Sequence, residues 1–275
     1  MTLVVPMTNG PTAAPPSMFS SLAANTTLDA ESRSGGKSGS PQTSANPLVR
    51  CRCSDTPTGT AALPSTAKAG VDVAVYAEDL ARPRAGSALA QRIEADGLSV
   101  DTLVNNAGMG TRAFATQDPD AVAAEVQLNV ASVVDLTRAL LPQMLGSGRG
   151  ALVSIASTSA YQPTPDMAVY GASKAFVLSF TEAIAYETRR SSLKVLAVSP
   201  GPMRTEFFDK LGTTRPGVGH WQTADDVAEF TLPTLDRRFT PPSVISGALN
   251  AVPIAAARFA PRPIVLALTG RAVGA

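Results

Sequence analysis

A tyrosine and a lysine four residues apart are the first residues in this sequence whose types and spacing could do chemistry. Tyr170 and Lys174 stand in MAVYGASKAFVLSF, whose apolar pattern predicts a helix. Side chains at i and i+4 share one helix face, so the ammonium would lie one turn from the phenol. A nearby positive charge favours the phenolate and would lower the pKa of the tyrosine from its ordinary value of about 10. Such a pair could exchange a proton with a substrate oxygen.

The pair also has an ordinary structural interpretation. Tyr170 could be a core aromatic residue with a satisfied hydroxyl group. Lys174 could be a lysine whose stem lies on apolar surface while its amine reaches solvent. The choice between the two interpretations depends on the elements that would position these side chains.

Apolar strands alternate with helical segments from about residue 70 onward. This alternation predicts a parallel sheet with helices on both faces, and in such sheets ligands bind beyond the carboxyl ends of the strands. Two helices are predicted to start at capping residues: one at Asp118, which is followed by Pro119 in the first turn, and one at Thr223. We predict strands in residues 71–80, 100–108, 150–158 and 193–203, and helices over residues 84–97, 118–145, 169–190 and 223–235.

The residues at these strand ends resemble the short-chain dehydrogenase/reductase family over roughly residues 70–274. The resemblance implies an α/β, Rossmann-like doubly wound parallel sheet with helices on both faces. The composition of the N-terminal portion instead predicts that it is degraded or disordered. The resemblance rests on motifs in the family's order: Asp79-Leu80, Asn105-Asn106-Ala107-Gly108, Asn129 in QLNVAS, Ser157 in SIASTS, Tyr170 with Lys174, and Pro200-Gly201 followed by Thr205.

The resemblance implies a catalytic role for four side chains. Tyr170 would be the general acid/base, and Ser157 would hydrogen-bond the substrate oxygen and orient it. Lys174 would tune Tyr170 and hold the ribose hydroxyls of the cofactor. Asn129 would belong to a water-linked proton relay, although a polar residue in mid-helix can also be merely structural.

The resemblance also implies a nicotinamide cofactor, NADP, with NAD as the alternative. Arg52 lies where many relatives place a basic residue that pairs with the 2′-phosphate of NADP. The other cofactor-binding positions would be Asp79 and Leu80 at the adenine, Asn106, Ala107 and Gly108 where the backbone approaches the cofactor, Tyr170 and Lys174 at the ribose, and Pro200, Gly201 and Thr205 at the nicotinamide.

The N-terminal segment departs from the family pattern. The family's glycine-rich phosphate turn is TGxxxGxG, whereas this chain has TNGPTAAPP, in which Gly10 alone could serve as the first glycine. We predict an aberrant, largely unstructured segment over residues 1–69, with short strands at 2–5 and 48–52. The catalytic domain would cover residues 70–275 and end in an apolar helical segment. Out-of-frame translation of residues 9–68 and genuine divergence both remain open as explanations.

Two functions follow from the resemblance. The first is an NAD(P)-dependent oxidoreductase that interconverts a secondary alcohol and a ketone or aldehyde. The alternative is a catalytically impaired relative that acts as a binding or interaction protein because the phosphate turn is missing. The substrate, which we expect to be an apolar small-molecule carbonyl or alcohol, would contact Ser157, Gln162, Met167, Met203 and Phe207.

Composition limits the partners of the chain. A net charge of +1 gives no general attraction to nucleic acid. Two cysteines and one histidine cannot complete a tetrahedral zinc site, so we expect no metal and a cytoplasmic location. The family resemblance implies a homo-oligomer that pairs through the helices carrying Asn129 and Tyr170, although the apolar surfaces of these helices could equally face the core. The apolar C-terminal stretch could cover another subunit or make peripheral contact with a membrane.

Overall fold

The structure is a computed structural model that describes residues 74–211 and 219–273. The predicted cofactor contacts Gly10 and Arg52 and the predicted strands at 2–5 and 48–52 lie outside the described residues. The predicted boundary between residues 69 and 70 also lies there and stays a prediction.

A four-stranded parallel sheet forms the centre of the described region, with its strands in the order β1-β2-β3-β4. Leu103 of β1 pairs with Leu152 of β2, which in turn pairs with Val195 of β3. The parallel α/β sheet predicted from the alternating pattern is therefore confirmed. The strands are β1 Thr102–Asn105, β2 Ala151–Ile155, β3 Lys194–Ser199 and β4 Ser243–Ile245.

The helices fill the connections between these strands. A π-helical turn, Gln127–Ala131, joins α2 to α3, and short 3-10 turns lie at Phe114–Thr116 and Thr158–Tyr161. Within the described residues the helices are α1 Ala85–Ala95, α2 Pro119–Val126, α3 Ser132–Gly146, α4 Ala168–Glu187, α5 Glu206–Lys210, α6 Ala224–Leu235, α7 Ala248–Ala257 and α8 Arg262–Val273.

Both faces of the sheet are covered, because successive side chains of each strand point to opposite sides. On one face Leu152 packs in a buried cluster with Leu89 of α1 and Leu140 of α3. On the other face Val153 packs with Val227 of α6. The predicted placement of helices on both faces is confirmed.

Two helix starts follow the capping rules that the sequence indicated. The Asp118 carboxylate accepts a hydrogen bond of 3.0 Å from the backbone N–H of Asp120, with Pro119 in the first turn. Thr223 and Asp226 form a reciprocal capping box at the start of α6. These local interactions fix where the connecting loops end.

Two predicted elements differ from the structure. No regular strand lies between Ala74 and Asp79, although Ala74 and Tyr76 are buried in the core. Ala74 and Ala77 each form a β-bridge, and residues 71–73 of the predicted strand lie outside the described residues. The helix predicted over residues 118–145 is interrupted by the π-helical turn, which a pattern based on 3.6 residues per turn does not detect.

None of the helices in the part of the chain that the structure describes combines the length and apolarity needed to cross a membrane.

Leu196 tests the core, because its side chain on β3 is fully buried. We expect Leu196→Ala to lower the free energy of unfolding by about 2–5 kcal/mol, since truncation leaves a cavity. Leu266→Ala is the matched control: its side chain on α8 is exposed, so its effect should stay within about 0.5 kcal/mol. Urea unfolding measures both values. Equal effects of the two substitutions would contradict the described packing.

Candidate active site

The amine of Lys174 is buried at the carboxyl edge of the sheet. Lys174 is 5% exposed, and its Nζ donates a hydrogen bond of 2.8 Å to the carbonyl of Ile155, the last residue of β2. The same Nζ lies 5.8 Å from the centroid of the Tyr170 ring. The two side chains therefore share one environment, and the interpretation of Lys174 as a solvent-exposed surface lysine is wrong.

Ser157 links Tyr170 to the end of β2. The Tyr170 hydroxyl and the Ser157 side chain hydrogen-bond with each other. The Ser157 hydroxyl also accepts a hydrogen bond of 3.1 Å from the backbone N–H of Ser159, which caps the following 3-10 turn. Because this capping contact fixes the serine, it also fixes the position at which the phenol is held.

The pKa values of the tyrosine and lysine are shifted mainly by burial. Burial raises the pKa of Tyr170 to about 12; the hydrogen bond with Ser157 opposes this rise and the Glu125 carboxylate adds to it. Burial also lowers the pKa of Lys174 to about 8, while Glu125 acts to raise it. The direction at Tyr170 is the opposite of the sequence-based prediction, because desolvation outweighs the expected effect of the ammonium group.

Asn129 lies in the π-helical turn, and three hydrogen bonds to residues outside that turn hold its side chain in place. Its Nδ2 donates to the Met109 carbonyl at 2.8 Å and to the Ser173 hydroxyl at 3.0 Å, and its Oδ1 accepts from the Met109 N–H at 3.0 Å. Asn129 thus connects the loop after β1 to α4, and its part in a proton relay stays a prediction.

Gly108 is the point at which the loop after β1 meets these side chains. A Cβ placed on Gly108 would lie 3.3 Å from Lys174 Nζ and 3.5 Å from Asn129 Oδ1. The structure therefore brings together Gly108, Asn129 and Lys174, while Asn106 and Ala107 lie beside them in the same loop.

Glu125 and Thr111 belong to this cluster, although the sequence analysis did not select them. Glu125 is fully buried, and its Oε2 accepts a hydrogen bond of 2.5 Å from the Thr111 hydroxyl. Its Oε1 has no hydrogen-bond partner among the described residues. Burial raises the pKa of Glu125, whereas the Thr111 hydrogen bonds and the charge of Lys174 lower it. The sequence signal that could have pointed to Glu125 is its position four residues before Asn129, which corresponds to about one helical turn.

The loop after β3 is fixed by buried polar side chains. The Pro200 carbonyl accepts a hydrogen bond of 2.9 Å from the Thr158 N–H, and the Gly201 N–H donates to Gln222 Oε1 at 3.2 Å. A Cβ on Gly201 would lie only 2.4 Å from the Asn250 side chain, so this position requires glycine. The Pro-Gly loop is thereby held beside the end of β2.

Aromatic side chains extend from Tyr170 over the loop after β1. The ring centroids of Tyr170 and Phe207 are 5.0 Å apart. A Cβ on Gly110 would lie 3.0 Å from Phe207 and 3.3 Å from Met167. Thr205 lies two residues before Phe207, and its hydroxyl accepts a hydrogen bond of 3.4 Å from the Phe207 N–H. Met167, Phe207 and Tyr170 therefore form one apolar wall of the site.

Other predicted site residues lie elsewhere or make local contacts. Met203 packs against the buried cluster on the α6 side of the sheet. The Asp79 carboxylate accepts from the Ala81 N–H at 3.0 Å, and Leu80 is buried in the core. Gln162 follows the 3-10 turn after Ser157 and is half-buried. The binding roles predicted for these residues stay predictions.

The family model described as short chain dehydrogenase matches residues 45–216. This match covers more than half of the chain, so the chain belongs to the short-chain dehydrogenase family. The matched region begins upstream of residue 70 and thus includes residues that the sequence analysis assigned to the aberrant segment.

Curated relatives match over part of their length. Sulfoacetaldehyde reductase from Chromohalobacter salexigens is 34% identical over 172 residues, which cover 56% of this chain and 64% of that protein. A second protein of that organism, sulfoacetaldehyde reductase 2, is 38% identical over 111 residues, covering 39% of this chain and 44% of the relative. The chain thus spans less than two thirds of the length of these relatives.

Solved structures of family members share the fold. A short-chain dehydrogenase from Sphingobium yanoikuyae in complex with NADPH is 30% identical, with a TM-score of 0.60; the match covers 70% of this chain and 76% of that chain. A short-chain dehydrogenase from Streptomyces avermitilis is 28% identical with the same TM-score and the same coverage.

The lowered pKa of Lys174 predicts a pH-dependent contribution to stability. The folded protein releases this proton near pH 8 and the unfolded chain near its ordinary value of about 10.4, so between these values the unfolded state binds more protons and stability rises with pH. Relative to Lys174→Met, the wild-type protein should therefore gain up to about 3 kcal/mol in free energy of unfolding between pH 7 and 10. Urea unfolding at several pH values measures the difference, and parallel curves would contradict a buried ammonium.

Proposed function

We propose that this protein is an NAD(P)-dependent oxidoreductase that interconverts a secondary alcohol and a ketone or aldehyde. The observation that carries the proposal is the convergence of Tyr170, Lys174, Ser157 and Asn129 at the carboxyl ends of β1 and β2. A hydroxyl donor, a buried amine and a second hydroxyl that can hold an oxygen atom are the groups that carbonyl reduction needs at the reacting oxygen.

The cofactor we propose is NADP(H), with NAD(H) as the alternative. Family structures that are 30% and 27% identical to this chain are complexes with NADPH and NADP. Lys174 uses one hydrogen of its ammonium on Ile155, and the others would bind ribose hydroxyls. Gly108 fits such a ligand, because a side chain there would press on the Lys174 amine. When bound, the nicotinamide would supply or accept the hydride.

Tyr170 would act as the proton donor in the direction of reduction. Because its pKa is raised to about 12, the phenol stays protonated at neutral pH and is ready to protonate the substrate oxygen. Ser157 would hold that oxygen at the phenol. A chain of water molecules positioned by Asn129 and the Lys174 ammonium would then carry a proton from solvent back to Tyr170. In the direction of oxidation, the positive charge of the oxidised nicotinamide would help to lower the pKa of the phenol.

The substrate we propose is an apolar carbonyl or alcohol. The wall formed by Met167 and Phe207 lies beside Tyr170, and Phe208 and Trp221 continue it with ring centroids 5.2 Å apart. Burying apolar substrate surface against these side chains would favour binding by about 25 cal/mol per Å².

A second candidate function is that of a binding protein without turnover. The observation that favours it is the sequence TNGPTAAPP in place of a glycine-rich phosphate turn, since the backbone N–H groups of such a turn bind the pyrophosphate. Titration of the purified chain with NADPH, followed by fluorescence, separates the two functions. Binding accompanied by carbonyl reduction supports the enzyme, whereas absence of NADPH binding favours the alternative.

Tyr170→Phe tests the proposed chemistry. We expect the rate of NADPH oxidation with an accepted carbonyl substrate to fall at least about 100-fold, because the variant has no hydroxyl proton to donate. NADPH affinity should change little. Tyr186→Phe is the matched control, since Tyr186 is exposed on the same helix and should retain full activity. Equal rates in wild type and Tyr170→Phe would exclude Tyr170 as the acid.

We also propose that the chain is a cytoplasmic homo-oligomer. The helices that carry Asn129 and Tyr170 leave an apolar groove of about 410 Å³ at the surface. Val126 and Phe114 in this groove are exposed. Pairing of two chains across this face would remove apolar surface from water.

The C-terminal helices carry a different surface, for which we propose an anionic lipid surface as partner. Residues 237–275 contain five arginines and no acidic residue. Phe259 is 91% exposed, and Leu249, Val252, Ile264 and Leu268 are also exposed. Exposed apolar side chains next to arginines favour an interface with anionic headgroups. Self-pairing through this surface would place like charges against each other.

Phe259→Ser tests this surface. We expect about a tenfold loss in partitioning onto phosphatidylglycerol-containing vesicles, because the variant no longer inserts an apolar ring. Phe114→Ser, which lies in the apolar groove, is the matched control and should keep wild-type partitioning. Sedimentation with vesicles of phosphatidylcholine alone should show little binding. A change in oligomeric state without vesicle binding would instead assign the surface to a second copy of the chain.

A further inference from the structure

Three buried polar side chains lie beside the loop after β3, and the proposed reaction does not use them. They belong to Gln222, Ser246 and Asn250. All three follow residues 45–216, the part of the chain that matches the family model, so that match does not account for them. Because a buried polar group is costly unless it is hydrogen-bonded, the partners of these side chains show what they hold in place.

Asn250, in the first turn of α7, uses both ends of its amide group. Its Oδ1 accepts a hydrogen bond of 2.6 Å from the His220 N–H. Its Nδ2 has three acceptors: the His220 carbonyl at 3.2 Å, Gln222 Oε1 at 3.1 Å and the Ser246 carbonyl at 3.2 Å. One side chain thus joins the segment before α6 to the segment between β4 and α7.

Gln222 extends these hydrogen bonds to the turn at Pro200 and Gly201. Its Oε1 accepts a hydrogen bond of 3.2 Å from the Gly201 N–H, and its Nε2 donates to the Ser246 hydroxyl at 2.9 Å. Its backbone N–H donates to the Pro202 carbonyl at 2.9 Å. The turn is therefore held from the side of α7.

The Asn250 amide also packs directly on Gly201. A Cβ placed on Gly201 would lie 2.4 Å from Nδ2, 2.6 Å from Cγ and 2.7 Å from Oδ1 of Asn250. Gly201 is not among the glycines with a positive φ in the described part of the chain, so this contact, rather than the backbone conformation, is what requires a glycine. The small residue in the turn and the amide on α7 therefore match each other in size.

We propose that Asn250 is a positioning residue that fixes the Pro200-Gly201 turn, against which the nicotinamide of the cofactor would lie. The position of the nicotinamide rests on the proposed function, whereas the packing of Asn250 on the turn does not. Because a displacement of about 1 Å at the reacting atoms can lower a rate about 100-fold, the position of this turn matters for hydride transfer. Helix α7 would thus belong to the scaffold of the active site.

Hydrogen exchange of the Gly201 N–H tests the proposal without substrate or cofactor. Labelling with ¹⁵N-glycine limits the spectrum to the 21 glycines, and Gly201→Ala identifies the Gly201 signal. In Asn250→Ala we expect this amide to exchange at least about tenfold faster than in the wild-type protein, because the Gln222 side chain loses its support on that side. Unchanged exchange in folded Asn250→Ala would overturn the proposal.

Thr231→Val is the matched control for this measurement. It removes a buried hydroxyl whose hydrogen bond to the Val227 carbonyl stays within α6, so the exchange of the Gly201 N–H should stay at the wild-type rate. Equal acceleration in Thr231→Val and Asn250→Ala would also overturn the proposal, because exchange would then report overall stability alone.

A second measurement tests the match in size. Gly201→Ala alone should lower the melting temperature by about 5 °C, since its methyl group collides with the Asn250 amide. The double variant Gly201→Ala/Asn250→Ala should melt no lower than Asn250→Ala alone, because the methyl group then occupies space that the amide has left. Additive losses in the double variant would contradict the proposal. If neither Asn250→Ala nor the smaller change Asn250→Ser folds, the proposal is also wrong, because Asn250 would then be a stability residue.

Activity distinguishes this proposal from the proposed function. If the wild-type protein reduces a carbonyl, kcat of Asn250→Ala should be about tenfold lower while KM for the carbonyl changes less than about threefold, because the turn orients the hydride donor rather than the substrate. A wild-type kcat in Asn250→Ala would exclude the positioning role. If the Gly201 N–H exchanges faster as expected but the wild-type protein reduces no carbonyl, the proposed function fails while the role of Asn250 in fixing the turn stands.

Discussion

Burial of the Lys174 amine is the constraint on which the rest of the site depends. An ammonium group needs hydrogen-bond acceptors when it leaves water, and the Ile155 carbonyl at the end of β2 supplies one. That contact fixes the distance and rotation of α4 against the sheet. Tyr170, one turn earlier on the same helix, is consequently held at Ser157, which follows the same strand.

The same desolvation shifts the pKa values of Tyr170 and Lys174 in opposite directions. It stabilises the neutral phenol of Tyr170 and destabilises the cationic form of Lys174. Between about pH 8 and 12 both side chains are therefore mostly neutral. The Glu125 carboxylate acts on both pKa values and raises each of them.

Much of the arrangement could be predicted because the relevant signals are local. The strand ends, the Asp118 cap and the Thr223 capping box follow from short stretches of sequence, and the spacing of Tyr170 and Lys174 fixes their shared face. The direction of the Tyr170 pKa could not be predicted, since it depends on burial by residues distant in sequence.

Glu125 was missed for a related reason. A glutamate on an amphipathic helix is ordinarily taken as solvent-exposed, and only the contact of α2 with the Thr111 loop and α4 buries it. Residues 71–80 were predicted as one strand, whereas the described part of that stretch has β-bridges only at Ala74 and Ala77, because alternation alone does not reveal how much of a stretch is paired. Tertiary packing decided each of these cases.

The π-helical turn allows the residues before it and the residues after it to face different neighbouring helices. Glu125 and Leu136 are eleven residues apart, a separation that in an unbroken α-helix would align them on one side after three turns. The additional residue in Gln127–Ala131 rotates the second half by roughly 100°. Glu125 can therefore lie on the side of α4, while Leu136 packs against α1. Removing one residue there would restore regular winding and keep the acid and the leucine on their present faces, whereas regular winding of all eleven residues would place both on one side.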